Sequence, residues 1–172
     1  MQVSATQLGA HLDKGLRSLY VLHGDEPLLV QEAADAIRAS ARAQGFTERT
    51  VFTVAGAHFD WAEVLASGAS MGLFGDRQLV EVRIPSGKPG KEGSAALQQL
   101  AERAVDSPDV LTLVSLPRLD KATKSSAWFE ALEGAGVGIG FDTVERAALP
   151  AWIAQRMGIR SAAYLRKLLA SA

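Results

Sequence analysis

Apolar residues along this chain follow two alternating patterns. Short continuous apolar runs are typical of strands that are buried on both faces of a sheet. They alternate with longer segments in which apolar residues recur every three or four positions, as on one face of an α-helix. The predicted strands cover 18–23, 50–54, 78–84, 110–114 and 137–141. The predicted helices cover 5–14 and 27–43, and three more begin near Asp60, near Ser94 and before Trp128. This order predicts an α/β domain with a five-stranded parallel sheet flanked by helices.

Local signals mark several of the helix ends. Pro27 suits the first turn of a helix, where the backbone N–H has no partner within the helix. Asp60, followed three residues later by Glu63, resembles a capping box. The last helix before the fifth strand is predicted to end at Gly134 in a left-handed turn. The Gly-, Pro- and Lys-rich stretch 85–93 is predicted to be a loop.

Composition narrows the functional classes. The 172 residues carry a formal net charge of -1, so the sequence offers no electrostatic reason to expect strong nucleic-acid binding. Cysteine is absent, which excludes disulfides and thiolate metal sites and fits a reducing cytoplasm. The first residues lack the basic and apolar regions of a secretory signal, and no apolar run approaches the ~20 residues that span a bilayer. We therefore expect a cytoplasmic protein that makes no membrane contact.

The turn after the first strand has the position of a phosphate-binding loop but not its residues. When the pattern G-x-x-x-x-G-K-[ST] begins at Gly24, the second glycine is replaced by Leu29, the lysine by Val30 and the hydroxyl residue by Gln31. Pro27 also removes one of the backbone N–H groups that would bind phosphate. The sequence therefore predicts a degenerate loop that binds no nucleotide cofactor.

Other catalytic patterns are also missing. The third strand ends in Arg83 and Ile84, where a magnesium-holding acid would be expected. The histidines His11, His23 and His58 do not have metal-ligand spacing, and His23 is expected to be a hydrogen-bonded residue of the core or of a turn. No catalytic activity, metal or cofactor is predicted for this chain.

An apolar pair occupies the break between the third predicted helix and the third strand. Leu73 and Phe74 lie between Gly72 and Gly75, and Met71 precedes them. A buried core pair at a helix end is one interpretation. The flanking glycines favour the other, in which a sharp turn holds both side chains outward as an anchor for a partner's pocket.

Taken in order, these segments resemble the delta subunit of the bacterial DNA polymerase III clamp loader, in its N-terminal part. The similarity runs from about residue 15 to residue 156. The motifs that carry it are Tyr20-Val21-Leu22-His23-Gly24-Asp25-Glu26, Met71-x-Leu73-Phe74, Leu119-Asp120-Lys121-x-x-Lys124-x-x-Ala127-Trp128-Phe129 and Leu149-Pro150-x-Trp152-Ile153.

The resemblance implies an AAA+-like (RecA-like) fold and a subunit of the DNA polymerase III holoenzyme that does not itself bind ATP. It implies binding to the sliding clamp (the beta subunit of DNA polymerase III), followed by opening of one of the clamp's interfaces, with DNA handled only indirectly. The family's clamp-binding wedge corresponds to Leu73 and Phe74, with Met71 adjacent. The other partners implied are the ATP-binding clamp-loader subunits and delta prime. One departure is Ala69, near the position where clamp-binding motifs often begin with glutamine.

The expected organisation is an AAA+-like domain over 1–145 and the truncated start of a helical lid domain over 146–172, whose last residues match the family poorly. Two other functions remain open at this stage. One is a divergent nucleotide-binding hydrolase with an unusual loop, and the other is a structural adaptor for other AAA+ subunits.

Overall fold

The computed structural model describes residues 1–56, 58–67, 69, 76–141 and 153–154. Five strands lie within these ranges, β1 (Leu19–Gly24), β2 (Phe46–Thr53), β3 (Arg77–Arg83), β4 (Val110–Leu116) and β5 (Val137–Phe141). They form one sheet in the order β2-β3-β4-β1-β5, and every neighbouring pair is parallel. The predicted five-stranded parallel sheet is therefore confirmed.

Helices connect successive strands, as parallel pairing requires. A short 3₁₀ turn (Ala5–Gln7) comes first. The α-helices are α1 (Leu8–Asp13), α2 (Pro27–Ala43), α3 (Trp61–Ser67), α4 (Gly90–Asp106), α5 (Lys121–Lys124) and α6 (Ala127–Ala135). Both bounds of α2 agree with the prediction. The carboxylate of Asp60 accepts a hydrogen bond from the Ala62 N–H (2.9 Å), so the predicted cap at the start of α3 is present.

The two faces of the sheet bury separate apolar clusters. Along β1, Leu19 and Val21 pack with α3, α4 and α6, whereas Tyr20 and Leu22 pack with α1 and α2. Successive side chains of a strand point to opposite faces, so a strand covered on both faces must be apolar at every position. This is why β1 is a continuous apolar run in the sequence.

Two sequence predictions about helix ends are wrong. Helix α6 continues past Gly134 to Ala135, and the residue after it, Gly136, has an ordinary φ of −125° rather than a left-handed one. Close packing explains that glycine, since a Cβ at Gly136 would lie 2.6 Å from the Leu19 carbonyl oxygen. Helix α4 begins at Gly90, four residues before the predicted Ser94, so the 85–93 segment is only partly a loop.

The chain divides into two compact units, Met1–Phe141 and Asp142–Ala172. The predicted start of a second domain over 146–172 lies outside the described residues except at 153–154. None of the helices in the described ranges combines the length and apolarity that crossing a membrane requires.

Candidate functional site

The turn between β1 and α2 is packed against β5. A Cβ at Gly24 would lie 2.1 Å from the Phe141 carbonyl oxygen, so only glycine fits there. The next backbone N–H, that of Asp25, donates to the same oxygen at 3.2 Å. In a phosphate-binding loop such groups face the ligand. Here the glycine and the amide of Asp25 join the turn to the neighbouring strand instead.

The residues at the three remaining positions of the phosphate-loop motif belong to helix α2. The Val30 N–H donates to the Glu26 carbonyl oxygen (3.1 Å), as in a regular helical turn. The side chains of Leu29 and Val30 pack on the apolar cluster shared with α1 and α2. The Gln31 amide donates to the Asp35 carboxylate at 3.2 Å on the helix surface. Leu29, Val30 and Gln31 thus act as ordinary residues of α2.

The end of β3 presents a cation where a magnesium-binding acid would be expected. Arg83 is the last residue of β3, and the N–H of Ile84 donates to the Ser115 carbonyl oxygen of β4 (2.9 Å). The nearest acidic residue of β3 is Glu81, two positions earlier. Across the described residues, no group of three or more His, Asp or Glu is placed to hold a metal ion.

Glu81 is the centre of an arginine cluster that sequence reasoning missed. Its carboxylate is 2% exposed and accepts hydrogen bonds from Arg38 Nε (2.6 Å) and Nη2 (2.9 Å) of α2. Arg49 Nε of β2 donates to it at 2.6 Å and Arg83 Nη2 at 3.3 Å. Arg38 also bonds Asp35. The available signal was a glutamate that stands between two valines, Val80 and Val82, in the buried part of β3.

Burial and the arginines act in opposite directions on Glu81. Burial by itself would raise the pKa of the carboxyl group, because the ionised form is disfavoured away from water. The hydrogen bonds and charges of Arg38 and Arg49 outweigh burial and lower the pKa of Glu81 to about 2. The same contacts raise the pKa of Arg38. The cluster is therefore ionised at neutral pH, and Glu81 is not available as a proton acceptor.

Two of the three histidines, His23 and His11, have packing and hydrogen-bond contacts that account for them structurally. His23 is 7% exposed at the end of β1, and its ring meets that of Phe129 edge to face at 5.5 Å. His11 Nε2 lies 3.2 Å from the hydroxyl of Tyr20, and burial is the main cause that lowers the pKa of His11. Neither histidine belongs to a group of side chains that could hold a metal ion within the described part of the chain.

A cavity of about 590 Å³ opens at the carboxyl ends of β1, β3 and β4. Its polar lining consists chiefly of Asp25, Arg38, Arg83 and Arg118. The carboxyl ends of parallel strands are where open α/β sheets bind their ligands. The structure thus keeps a cleft at the usual place even though the phosphate loop is degenerate.

The predicted clamp-binding residues Met71, Leu73 and Phe74, and their flanking glycines, lie outside the described residues. The segment that leads to them is held firmly. The Trp61 ring of α3 lies so close to α4 that a Cβ at Gly93 would come within 2.5 Å of it. At the other end of α3, Arg103 Nη1 of α4 donates to the Leu65 carbonyl oxygen at 2.9 Å.

The chain that follows the predicted clamp-binding segment is also anchored. Arg77, the first residue of β3, donates through Nη1 to the Gln44 carbonyl oxygen (2.9 Å) and through Nε to Asp109 (3.1 Å). Its guanidinium carbon also lies 5.5 Å from the centre of the Phe46 ring. Helix α3 and the first residue of β3 are thus both tied to the rest of the sheet domain.

The strand order, the helices on both faces and the degenerate loop after β1 together define an AAA+-like α/β domain. Comparison with known proteins identifies the family. The family model for "DNA polymerase III, delta subunit" matches residues 20–139. The chain therefore belongs to the DNA polymerase III delta subunit family.

Individual relatives agree. The chain is 38% identical over 150 residues to DNA polymerase III subunit delta of Escherichia coli K12, a match that covers 87% of this chain and 43% of the relative. It is 32% identical over 155 residues to the Haemophilus influenzae Rd protein of the same name, with the same coverage of both chains. In fold it resembles the Bacillus subtilis DNA clamp loader delta protein, with a TM-score of 0.66 at 19% identity over 86% of this chain and 45% of that one. The chain thus spans less than half the length of the relatives it matches.

Proposed function

We propose that the protein to which this chain belongs is a clamp-loader delta subunit that binds the sliding clamp and helps to open it during DNA replication. The observation that carries the proposal is family membership, because the matched range 20–139 includes the whole segment between α3 and β3. Its function would be exerted in the cytoplasm as part of the DNA polymerase III holoenzyme, without catalysis by this chain.

Clamp binding is assigned to Leu73 and Phe74, with Met71 beside them. Adjacent large apolar side chains between glycines suit insertion into an apolar pocket on a partner. The firm attachment of α3 to α4 and of Arg77 to its neighbours supports this assignment, because a wedge held between fixed points loses less conformational entropy on binding. Helix α3 would then press on the clamp surface beside the pocket.

The other partners follow from the same proposal. ATP would act on the ATP-binding clamp-loader subunits. The protein would join these subunits and delta prime through parts other than the 1–145 domain. DNA would be contacted indirectly, through the clamp. Residues 146–172 would begin the helical second domain.

The test is calorimetric titration of the 172-residue chain into the cognate sliding clamp. The parent chain should bind, and a Leu73→Ala/Phe74→Ala variant should lose at least about 2 kcal/mol of binding free energy, which is roughly a 30-fold loss of affinity. A Leu28→Ala/Val105→Ala variant is the matched control. It removes two apolar side chains that are 62% and 71% exposed on α2 and α4, and it should bind like the parent.

Circular dichroism would show that each variant is folded. Equal binding by the wedge variant and the parent would contradict the wedge assignment. Failure of a folded parent to bind the clamp would favour the adaptor function instead. A Mg²⁺-dependent rise in melting temperature with ATP would favour the divergent hydrolase.

A further inference from the structure

The cavity at the carboxyl ends of β1, β3 and β4 has features that clamp binding does not use. At about 590 Å³ it is within the size range of small-molecule sites. Much of its accessible wall is apolar, and it includes Pro27, Val30, Pro85 and Pro117. Apolar walls with a few convergent polar groups are the usual composition of a ligand pocket.

The charge of the lining is unbalanced. Three arginines, Arg38, Arg83 and Arg118, lie among the described lining residues, which include one carboxylate, Asp25. The buried carboxylate of Glu81 behind them also pairs with Arg38 and Arg83. Arg118 Nη1 donates to Asp25 at 3.1 Å, and Arg83 Nη2 makes a longer bond of 3.3 Å to Glu81. Each of these two contacts uses one of the five N–H donors of a guanidinium group. The side chains of Arg83 and Arg118 are 42% and 73% exposed, so a ligand can reach both.

The same geometry disfavours a magnesium–nucleotide complex. A divalent cation would be repelled by Arg83, which stands at the end of β3 where a metal-binding acid would be needed. The turn at Gly24 packs on Phe141, and Pro27 has no N–H, so the backbone cannot surround a triphosphate. The cavity therefore has a positively charged lining beside an apolar wall and does not suit a metal–nucleotide complex.

We propose that this cavity binds a small organic oxyanion, with its phosphate or carboxylate group on Arg83 and Arg118 and its apolar body against Val30 and Pro117. Planar guanidinium groups match both kinds of head group through paired hydrogen bonds. Arg38 is held by Glu81 and forms the fixed floor of the site.

The test is an NMR titration of the ¹⁵N-labelled 172-residue chain with phenyl phosphate and with benzoate. These probes share a ring and differ in the head group, so they distinguish a phosphate from a carboxylate ligand. Inorganic phosphate supplies the head group alone and phenol the ring alone. At least one of the two complete probes should shift the amide signals of the non-proline residues in 24–31, 83–84 and 115–118. It should bind more tightly than either fragment, without Mg²⁺.

Arg83→Gln and Arg118→Gln should each weaken binding about tenfold, as expected for loss of a charge-assisted contact. Arg42→Gln is the matched control, since Arg42 is an exposed arginine of α2 outside the cavity lining, and it should bind like the parent. Arg118 is largely exposed, so its variant tests the site even if the Arg83 variant is poorly folded.

Three results would overturn the proposal. The first is the absence of shifts at these residues with either probe at millimolar concentration. The second is equal binding by the parent and the Arg118 variant. The third is binding of ATP that requires Mg²⁺ and excludes both probes.

Discussion

The Glu81 cluster offers the sharpest test of how this domain is stabilised. Replacing Glu81 by glutamine keeps the size of the side chain but removes the negative charge that Arg38, Arg49 and Arg83 share. Arg38 is only 15% exposed, so its charge would lose its main partner with little compensating access to water. The other two arginines are more than 40% exposed, and water screens their contribution.

Two separate arguments give a similar cost in unfolding free energy for Glu81→Gln. A pKa lowered from the ordinary 4.5 to about 2 corresponds to about 3 kcal/mol of folding free energy. Removing one partner of a buried ion pair costs about 3–5 kcal/mol in other proteins. Glu81→Gln should therefore lower the free energy of unfolding at pH 7 by about 3 kcal/mol. Asp109→Asn, which breaks the exposed Arg77–Asp109 pair (3.1 Å), is the control and should cost less than about 1 kcal/mol.

The pH dependence has a definite sign. Because the folded-state pKa of Glu81 is lowered, its stabilising contribution is complete above pH 4.5 and is lost as the pH falls towards 2. The difference in unfolding free energy between the parent and Glu81→Gln should therefore narrow over that window, because Glu81 takes up a proton in the unfolded parent before it does so in the folded parent. Other acidic groups titrate in both proteins and cancel in the difference.

Urea unfolding followed by circular dichroism, repeated between pH 7 and pH 3, measures the difference in unfolding free energy between the parent and Glu81→Gln. The explanation would be refuted if Glu81→Gln cost no more than Asp109→Asn, or if the difference stayed constant down to pH 3. Arg49→Gln removes a single half-exposed donor. If Glu81→Gln fails to fold, the Arg49→Gln variant still tests the contribution of the cluster.

Two further predictions concern the packing and capping of helix α3. Gly93→Ala should destabilise the domain by about 1–3 kcal/mol, because its Cβ would come 2.5 Å from the Trp61 ring. Gly134→Ala is the control, since its Cβ would meet nothing within 4 Å, and it should be neutral or stabilising. Thermal unfolding of the two variants compares their stabilities directly. Asp60→Ala should cost about 1 kcal/mol by removing the 2.9 Å bond to the Ala62 N–H, and an unchanged midpoint in urea would show that this cap does not stabilise α3.

The degenerate loop could be identified from sequence because the motif requires particular residues at fixed spacing. Val30 cannot supply the charge of a lysine, and Pro27 cannot donate a backbone hydrogen bond, whatever the surrounding structure. Helix ends were harder to predict. Gly134 fitted a helix stop by its residue type alone, but the close approach of β1 made Gly136 the required glycine.

The sequence by itself determined the alternation of strands and helices, the parallel sheet and the family, because apolar periodicity and ordered motifs are local properties of the chain. Only the tertiary structure decided which distant side chains meet. Glu81 and Arg38 are 43 positions apart, and Arg118 and Asp25 are 93 apart. Strand order and helix packing bring such pairs together, and no local pattern encodes that order. The arginine cluster and the cleft beside it are therefore visible only in the folded domain.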